Sequence, residues 1–154
     1  MKYIFDTNAF NNFLDAQDNT PLHSVSILAT HVQLAEIKAT KDDERRNCLL
    51  NVFSEITDEV KKTESMVFPL IFGAQKFGDG TYENLLESLN QEVSQFSTKK
   101  RLKKENGHSN DAQIAEVALK NKYTLVTDDN ELIKVFENYG GKVLRYAKFI
   151  EIVT

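Results

Sequence analysis

The sequence predicts an α/β fold, with a largely parallel sheet covered by helices on both faces. Three observations carry that reading. Short apolar runs such as Tyr3-Ile4-Phe5 and Thr124-Leu125-Val126-Thr127 alternate with stretches whose apolar residues recur at spacings of three and four. Both of those runs end abruptly in acids, Asp6 and the pair Asp128-Asp129, the residue types that leave a strand and start a helix. The chain of 154 residues, 41% hydrophobic and 27% charged with two prolines, suits one globular domain with a single core.

Taken in order, Tyr3 to Phe5 is a first buried strand, and it places the Asp6 carboxylate at its carboxyl end. In open α/β sheets that edge collects ligands and metals, because strand ends and helix starts converge there. Phe10, Phe13 and Leu14 mark a short helix over Ala9 to Asp15. Leu22 to Leu28 reads as a second strand. Thr30, with Gln33 three places on, is a capping-box pattern that opens a helix in which Glu36 shares the side of Val32 and Ala39. Leu49, Leu50, Phe53 and Ile56 continue as a helix after the charged break at Asp42 and Asp43. Glu64 to Phe72 is ambiguous between helix and strand, with Pro69 interrupting either. Phe77 to Gly80 is a turn, and Tyr82, Leu85, Leu86 and Leu89 mark an amphipathic helix. The basic run Lys99 to Lys104, followed by Glu105-Asn106-Gly107-His108, reads as a break. Ser109 or Asn110 then caps a helix that buries Ile114, Ala115, Ala118 and Leu119, with Asp111 in its first turn. Thr124 to Thr127 is a strand. Leu132 to Phe136 is a helix stopped at Tyr139-Gly140-Gly141, and Val143-Leu144 is an edge strand.

Charge and composition exclude several classes. The net charge of -4 alone argues against a nucleic-acid partner, but Lys99, Lys100, Arg101, Lys103 and Lys104 form a local basic strip. Apart from that strip, 14 basic groups face 23 acidic ones. Such a run is a solvated face or a contact for phosphate backbone. The longest apolar runs fall far short of a membrane span, and Asp6 interrupts the N-terminus too early for a signal peptide. The lone Cys48 forms no internal disulfide, which fits a reducing compartment, and the expected location is cytoplasmic.

Asp6, Glu36, Asp111 and Asp129 (or Asp128) occupy positions that can meet at one edge of such a sheet. Carboxylates gathered without lysine or arginine partners repel one another, and a hard divalent cation is their natural counter-charge. Oxygen-only ligation favours magnesium or manganese, and no cysteine and histidine set has zinc-finger spacing. A metal held so makes its water more acidic and orients it toward phosphorus, which points to phosphodiester hydrolysis.

The same residues resemble a known family. Ile4-Phe5-Asp6-Thr7-Asn8 is similar to the opening motif of PIN domains, and Glu36 fits their second acid. Asn110-Asp111-Ala112-Gln113-Ile114-Ala115 looks like the third motif and Leu125-Val126-Thr127-Asp128-Asp129 like the fourth, a threonine followed two places later by an acid. The resemblance implies a three-layer α/β/α sandwich over residues 1–154 with an enlarged central helical part at about 40–108, and metal-dependent ribonuclease activity. It implies metal ligation by Asp6, Glu36, Asp111 and Asp129, with Asp128 the alternative to Asp129, and orienting roles for Asn8 and Thr127. VapC-type toxins of this family are held inactive by an antitoxin protein, so the implied partners are RNA, a cognate antitoxin and a second copy of the chain. The stretch between Glu36 and Asp111 is longer than in a minimal toxin of that type. Two rivals belong to other classes. One is a non-catalytic PIN-like module that binds RNA or protein. The other is a phosphatase using Asp6 as nucleophile, which would ordinarily carry an acid where Asn8 stands.

Overall fold

The computed structural model describes residues 1–16, 22, 25–61, 84–85, 87–88 and 98–154, with backbone alone for 59–61 and 98–109. Its elements are β1 (Lys2–Phe5), α1 (Thr7–Asp15), β2 (Ser26–Thr30), α2 (His31–Lys38), α3 (Asp43–Ile56), β3 (Glu59–Lys61), α4 (Thr98–Asn121), β4 (Thr124–Val126), α5 (Asn130–Asn138), β5 (Val143–Leu144) and α6 (Tyr146–Val153). The strands form one five-stranded sheet in the order β3-β2-β1-β4-β5, and every pairing is parallel. The segments Glu64–Phe72 and Phe77–Gly80, and most of the helix expected at Tyr82–Leu89, lie outside the described residues, and with them much of the central part at 40–108.

Because strand side chains alternate, β1, β2 and β4 each feed two cores. Ile4, Leu28 and Leu125 point to one face, where Ile114, Ala115 and Ala118 of α4 and Leu132, Val135 and Phe136 of α5 cover them. Tyr3, Phe5, Ile27, Ala29 and Val126 point to the other, beneath Phe10 and Phe13 of α1, Leu49 and Phe53 of α3, and Tyr146 and Phe149 of α6. The second core is knit by edge-to-face rings. Phe5 meets Phe10 at 5.3 Å and Phe149 at 5.1 Å, and Tyr3 meets Phe149 at 4.9 Å. Such pairs stabilise by about 0.5–1.5 kcal/mol each beyond the area they bury. The molecule is thus the expected three-layer α/β/α sandwich.

Two local expectations are corrected and two elements are added. The second strand lies at Ser26–Thr30 and not at Leu22–Leu28, since the Val25 N–H turns back to the Leu22 carbonyl at 3.1 Å before the strand starts. The basic run is not a break. It forms the first turns of α4, so Ser109 and Asn110 are interior residues and not caps. Lysine, arginine, glutamate and leucine favour helix strongly enough that Gly107, costing about 1 kcal/mol against alanine, does not interrupt it. A strand at Glu59–Lys61 adds to the sheet edge beside β2, and α6 was unanticipated. Tyr146, Phe149, Ile150 and Val153 have the spacing of one helical stripe and all pack into the second core, although the segment is rich in β-favouring residues. No helix among the described residues is long and apolar enough to cross a membrane.

The end of α5 is as expected. The Gly141 N–H bonds the Phe136 carbonyl at 3.0 Å and the Gly140 N–H the Glu137 carbonyl at 2.9 Å, with Gly140 at φ +79°. A Cβ on Gly140 would meet nothing, whereas one on Gly141 would lie 2.4 Å from the buried Phe136 ring. Gly141→Ala should therefore cost about 1–3 kcal/mol by overpacking. Gly140→Ala should cost about 1 kcal/mol through its backbone angle alone. Urea unfolding midpoints of the two variants beside the parent check the order.

Candidate active site

Asp6 lies at the carboxyl end of the parallel pair β1 and β4. Its N–H bonds the Val126 carbonyl of β4 at 3.0 Å, extending the pairing of β1 with β4 by one residue. Its side chain then caps α1, with Oδ1 accepting the Thr7 N–H at 2.7 Å. Oδ2 accepts two more hydrogen bonds at 2.9 Å, from Asn8 Nδ2 and from Thr127 Oγ1. The carboxylate is 5% exposed. Burial pushes its pKa up to about 6, the Thr127 and Thr7 hydrogen bonds pull it back, and the charge of Asp129 raises it further.

Asn8 and Thr127 thus both donate to the same Asp6 oxygen. Asn8 Nδ2 also reaches Thr127 Oγ1 at 3.2 Å, while Asn8 Oδ1 accepts the Asp128 N–H at 3.3 Å. Thr127 Oγ1 accepts the Asp129 N–H at 3.2 Å. That bond is the physical content of a threonine followed two places on by an acid: the hydroxyl ties the turn after β4 to the carboxylate after β1.

The same geometry separates the two late acids. Asp129 Oδ1 caps α5 by accepting the Glu131 and Leu132 N–H groups at 3.0 and 3.3 Å, and its charge acts on Asp6. Asp128 turns to the second core. Its Oδ2 accepts Asn12 Nδ2 at 2.6 Å and its Oδ1 accepts the Tyr146 N–H at 3.1 Å, so it joins α1 to the start of α6.

Glu36 is brought beside Asp6 by α2. The capping box is formed as its sequence suggests: the Val32 N–H bonds Thr30 Oγ1 at 3.1 Å, and Gln33 Oε1 accepts both the Thr30 N–H, at 2.8 Å, and the Thr30 hydroxyl. Gln33 has a further role that periodicity does not reveal. Its Nε2 donates to the Phe5 carbonyl at 2.8 Å, fully buried, so one side chain fixes α2 against the residue that precedes Asp6. Burial and then the Asp6 charge push the Glu36 carboxyl up to about 7, with the neighbouring Thr7 hydroxyl acting the other way. Glu36 Oε1 and Thr7 Oγ1 are buried without a hydrogen-bond partner.

Asp111 is half-buried on α4, in the turn before the fully buried Ile114 and Ala115, and α4 packs on α2, β2 and β4. Lys99, Lys100, Arg101, Lys103 and Lys104 stand on the same helix, their side chains outside the described residues. Among the described residues no three His, Cys, Asp or Glu side chains are arranged to hold a metal ion. The Asp6 and Glu36 pair nonetheless fits a cation. Two neighbouring carboxylates with raised pKa values and an orphaned buried oxygen suit magnesium, which is commonly held by one or two carboxylates and keeps several waters.

Comparison with known proteins bears on the fold. No protein-family model and no curated protein matches the chain. Solved structures do. VapBC2 of Rickettsia felis, bound to a DNA fragment from their promoter, is 19% identical over 94% of this chain and 98% of that one, with a TM-score of 0.56. A PilT N-terminus domain protein of Sulfolobus solfataricus is 10% identical over 99% and 93%, with a TM-score of 0.54. A Pyrobaculum aerophilum protein is 18% identical over 99% and 89%, with a TM-score of 0.55.

The raised carboxyl pKa values make stability depend on pH. A carboxyl with a higher pKa folded than unfolded holds its proton more tightly in the folded chain, so its contribution is fully present below the unfolded value and is lost as pH rises through the folded value. For Glu36 that window runs from 4.5 to about 7, and for Asp6 from 3.8 to about 6. The metal-free protein should lose stability across pH 4–7. Glu36→Gln should unfold at higher denaturant than the parent at pH 7, by up to about 3 kcal/mol, and match it near pH 4. Parallel urea titrations at the two pH values test this.

Proposed function

We propose that this chain, which has the PilT N-terminus, or PIN, domain fold of the VapC-like structures it resembles, is a magnesium- or manganese-dependent endoribonuclease, acting as the toxin of a toxin-antitoxin pair. The observation that carries the reading is the buried Asp6 carboxylate, pinned by Thr7, Asn8 and Thr127 and set beside Glu36, whose buried Oε1 makes no close hydrogen bond among the described residues. Asp6 and Glu36 would hold the ion, with Asp111 and Asp129 as the further acids. A bound divalent ion supplies Lewis acidity and a more acidic water. The chain's own residues do the rest. Asn8 and Thr127 fix the orientation of Asp6, Gln33 holds the Glu36 helix against β1, and burial keeps bulk water from screening the Asp6 carboxylate. An antitoxin protein and a second copy of the chain are the proposed protein partners, and the cytoplasm the proposed location.

A binding module without catalysis is the second reading, favoured by the absence of three converging acids among the described residues. Cleavage of a mixed RNA pool with manganese, magnesium or chelator decides between them. Asp6→Asn, Glu36→Gln and Asp111→Asn should each abolish metal-dependent cutting. Asn8→Ala and Thr127→Ala should slow it by about 10–100-fold. Cutting by folded Asp6→Asn at the parent rate would remove the site from the reaction. Failure of manganese to bind the parent would leave the module.

The basic run makes a separate prediction. At 1.5 Å per residue the run ends about 10 Å along α4 from Asp111. Positions 100, 104 and 111 fall near one line of the helix, since seven and eleven residues are close to whole numbers of turns. Lys100→Ala and Lys104→Ala should therefore weaken RNA binding, measured in calcium to prevent cutting, more than Lys99→Ala does. Equal effects would mean that the run acts only as diffuse charge.

A further inference from the structure

A cavity of about 360 Å³ opens at the opposite edge of the sheet from Asp6, where α4 and α5 end and β4 and β5 begin. The described residues that line it include Leu119 and Phe136, the aromatic Tyr123 and Tyr139, and the charged Lys122 and Lys142. No acid lines it. The size is that of small-molecule sites, which are mostly apolar with a few converging polar groups.

Lys122 is unusual there. Both helices end in the same motif, in which a residue past the helix end bonds back to the carbonyl five residues earlier and the residue before it to the carbonyl three residues earlier. On α4 the Tyr123 N–H bonds the Ala118 carbonyl at 2.9 Å and the Lys122 N–H the Leu119 carbonyl at 3.3 Å. In α5 the position equivalent to Lys122 is Gly140, at φ +79°. Lys122 adopts φ 58° without being glycine, a left-handed conformation that glycine takes without steric cost. Its ammonium is not needed to satisfy the carbonyls of Ala118, Leu119, Phe136 or Glu137, because backbone N–H groups already bond them. The ring of Tyr139 is 40% exposed, and its hydroxyl shares a 3.1 Å hydrogen bond with Ser88 Oγ, which fixes its direction.

The geometry points to a binding site for a nucleoside monophosphate, taken either free or as the terminal nucleotide of an RNA strand, with the base against Tyr139 and the phosphate on Lys122 and Lys142. An aromatic side chain accepts any base by stacking, and two lysines favour an anion. The site lies at the other end of the strands from the acids and does not depend on them.

The test is a titration in chelator, followed by the amide signals of Gly140 and Gly141. The probes are uridine and adenosine 5′-monophosphates, the corresponding nucleosides, inorganic phosphate, and an RNA hexamer with and without a 5′-phosphate. Saturable shifts with the monophosphates, weaker with nucleoside or phosphate alone, support the site. Tighter binding of the phosphorylated hexamer than of the free nucleotide identifies a strand end as its source, and the reverse identifies free nucleotide. Lys122→Gly, with its melting temperature unchanged or raised, should weaken binding by about tenfold. Tyr139→Ala should weaken it while Tyr139→Phe keeps the ring and the affinity. No shift with any probe, or full affinity in Lys122→Gly, overturns the proposal and leaves the cavity to a protein partner.

Discussion

The structure depends on one buried carboxylate. Asp6 leaves β1, caps α1 and accepts from Asn8 and from Thr127 across the strand pair, so it joins the start of the chain to a turn far along it. Burying a carboxylate is costly unless it is hydrogen-bonded, and three donors offset the cost here. They do not cancel it. The pKa stays raised to about 6, and Glu36, drawn beside it by α2, is raised to about 7. The fold thereby holds two acids in a state that a cation or a proton would relieve, which is the feature on which the proposed metal-dependent hydrolysis rests.

Most other features near this point serve that placement. Gln33 secures the Glu36 helix to β1 through the Phe5 carbonyl. Asp128, next in sequence to Asp129, works on the opposite side, joining Asn12 of α1 to the backbone of α6. Behind β1, the rings of Tyr3, Phe5, Phe10 and Phe149 hold the strand on which Asp6 ends. A site on rigid elements with packed support keeps its geometry better than one on loops.

Local reading of the sequence reached the residues whose role is written in their neighbours. Thr30 and Gln33 are spaced as a capping box and form one, Gly140 and Gly141 end α5, and Asp6 and the pair Asp128-Asp129 follow strands. It failed where local preference and packing disagree. Residues 146–153 favour strand by type but have a helical stripe that the second core selects. The basic run looks like a loop by charge, yet its residues are strong helix formers and continue α4. The strand Glu59–Lys61 is too short and too charged to announce itself, and exists because β2 offers it an edge.

The sequence by itself determined the α/β class, the two-sided cover of the sheet and the identity of the acids at its carboxyl edge, because strand alternation, helix spacing and capping chemistry are local. Tertiary structure alone decided which acids act on one another. It set Asp129 toward Asp6 and Asp128 away from it, gave Gln33 its second bond, and left Lys122 in the conformation of a glycine. Those choices rest on contacts between residues distant in the chain, and on burial, which shifts a carboxyl pKa only once the surrounding strands and helices have closed over it.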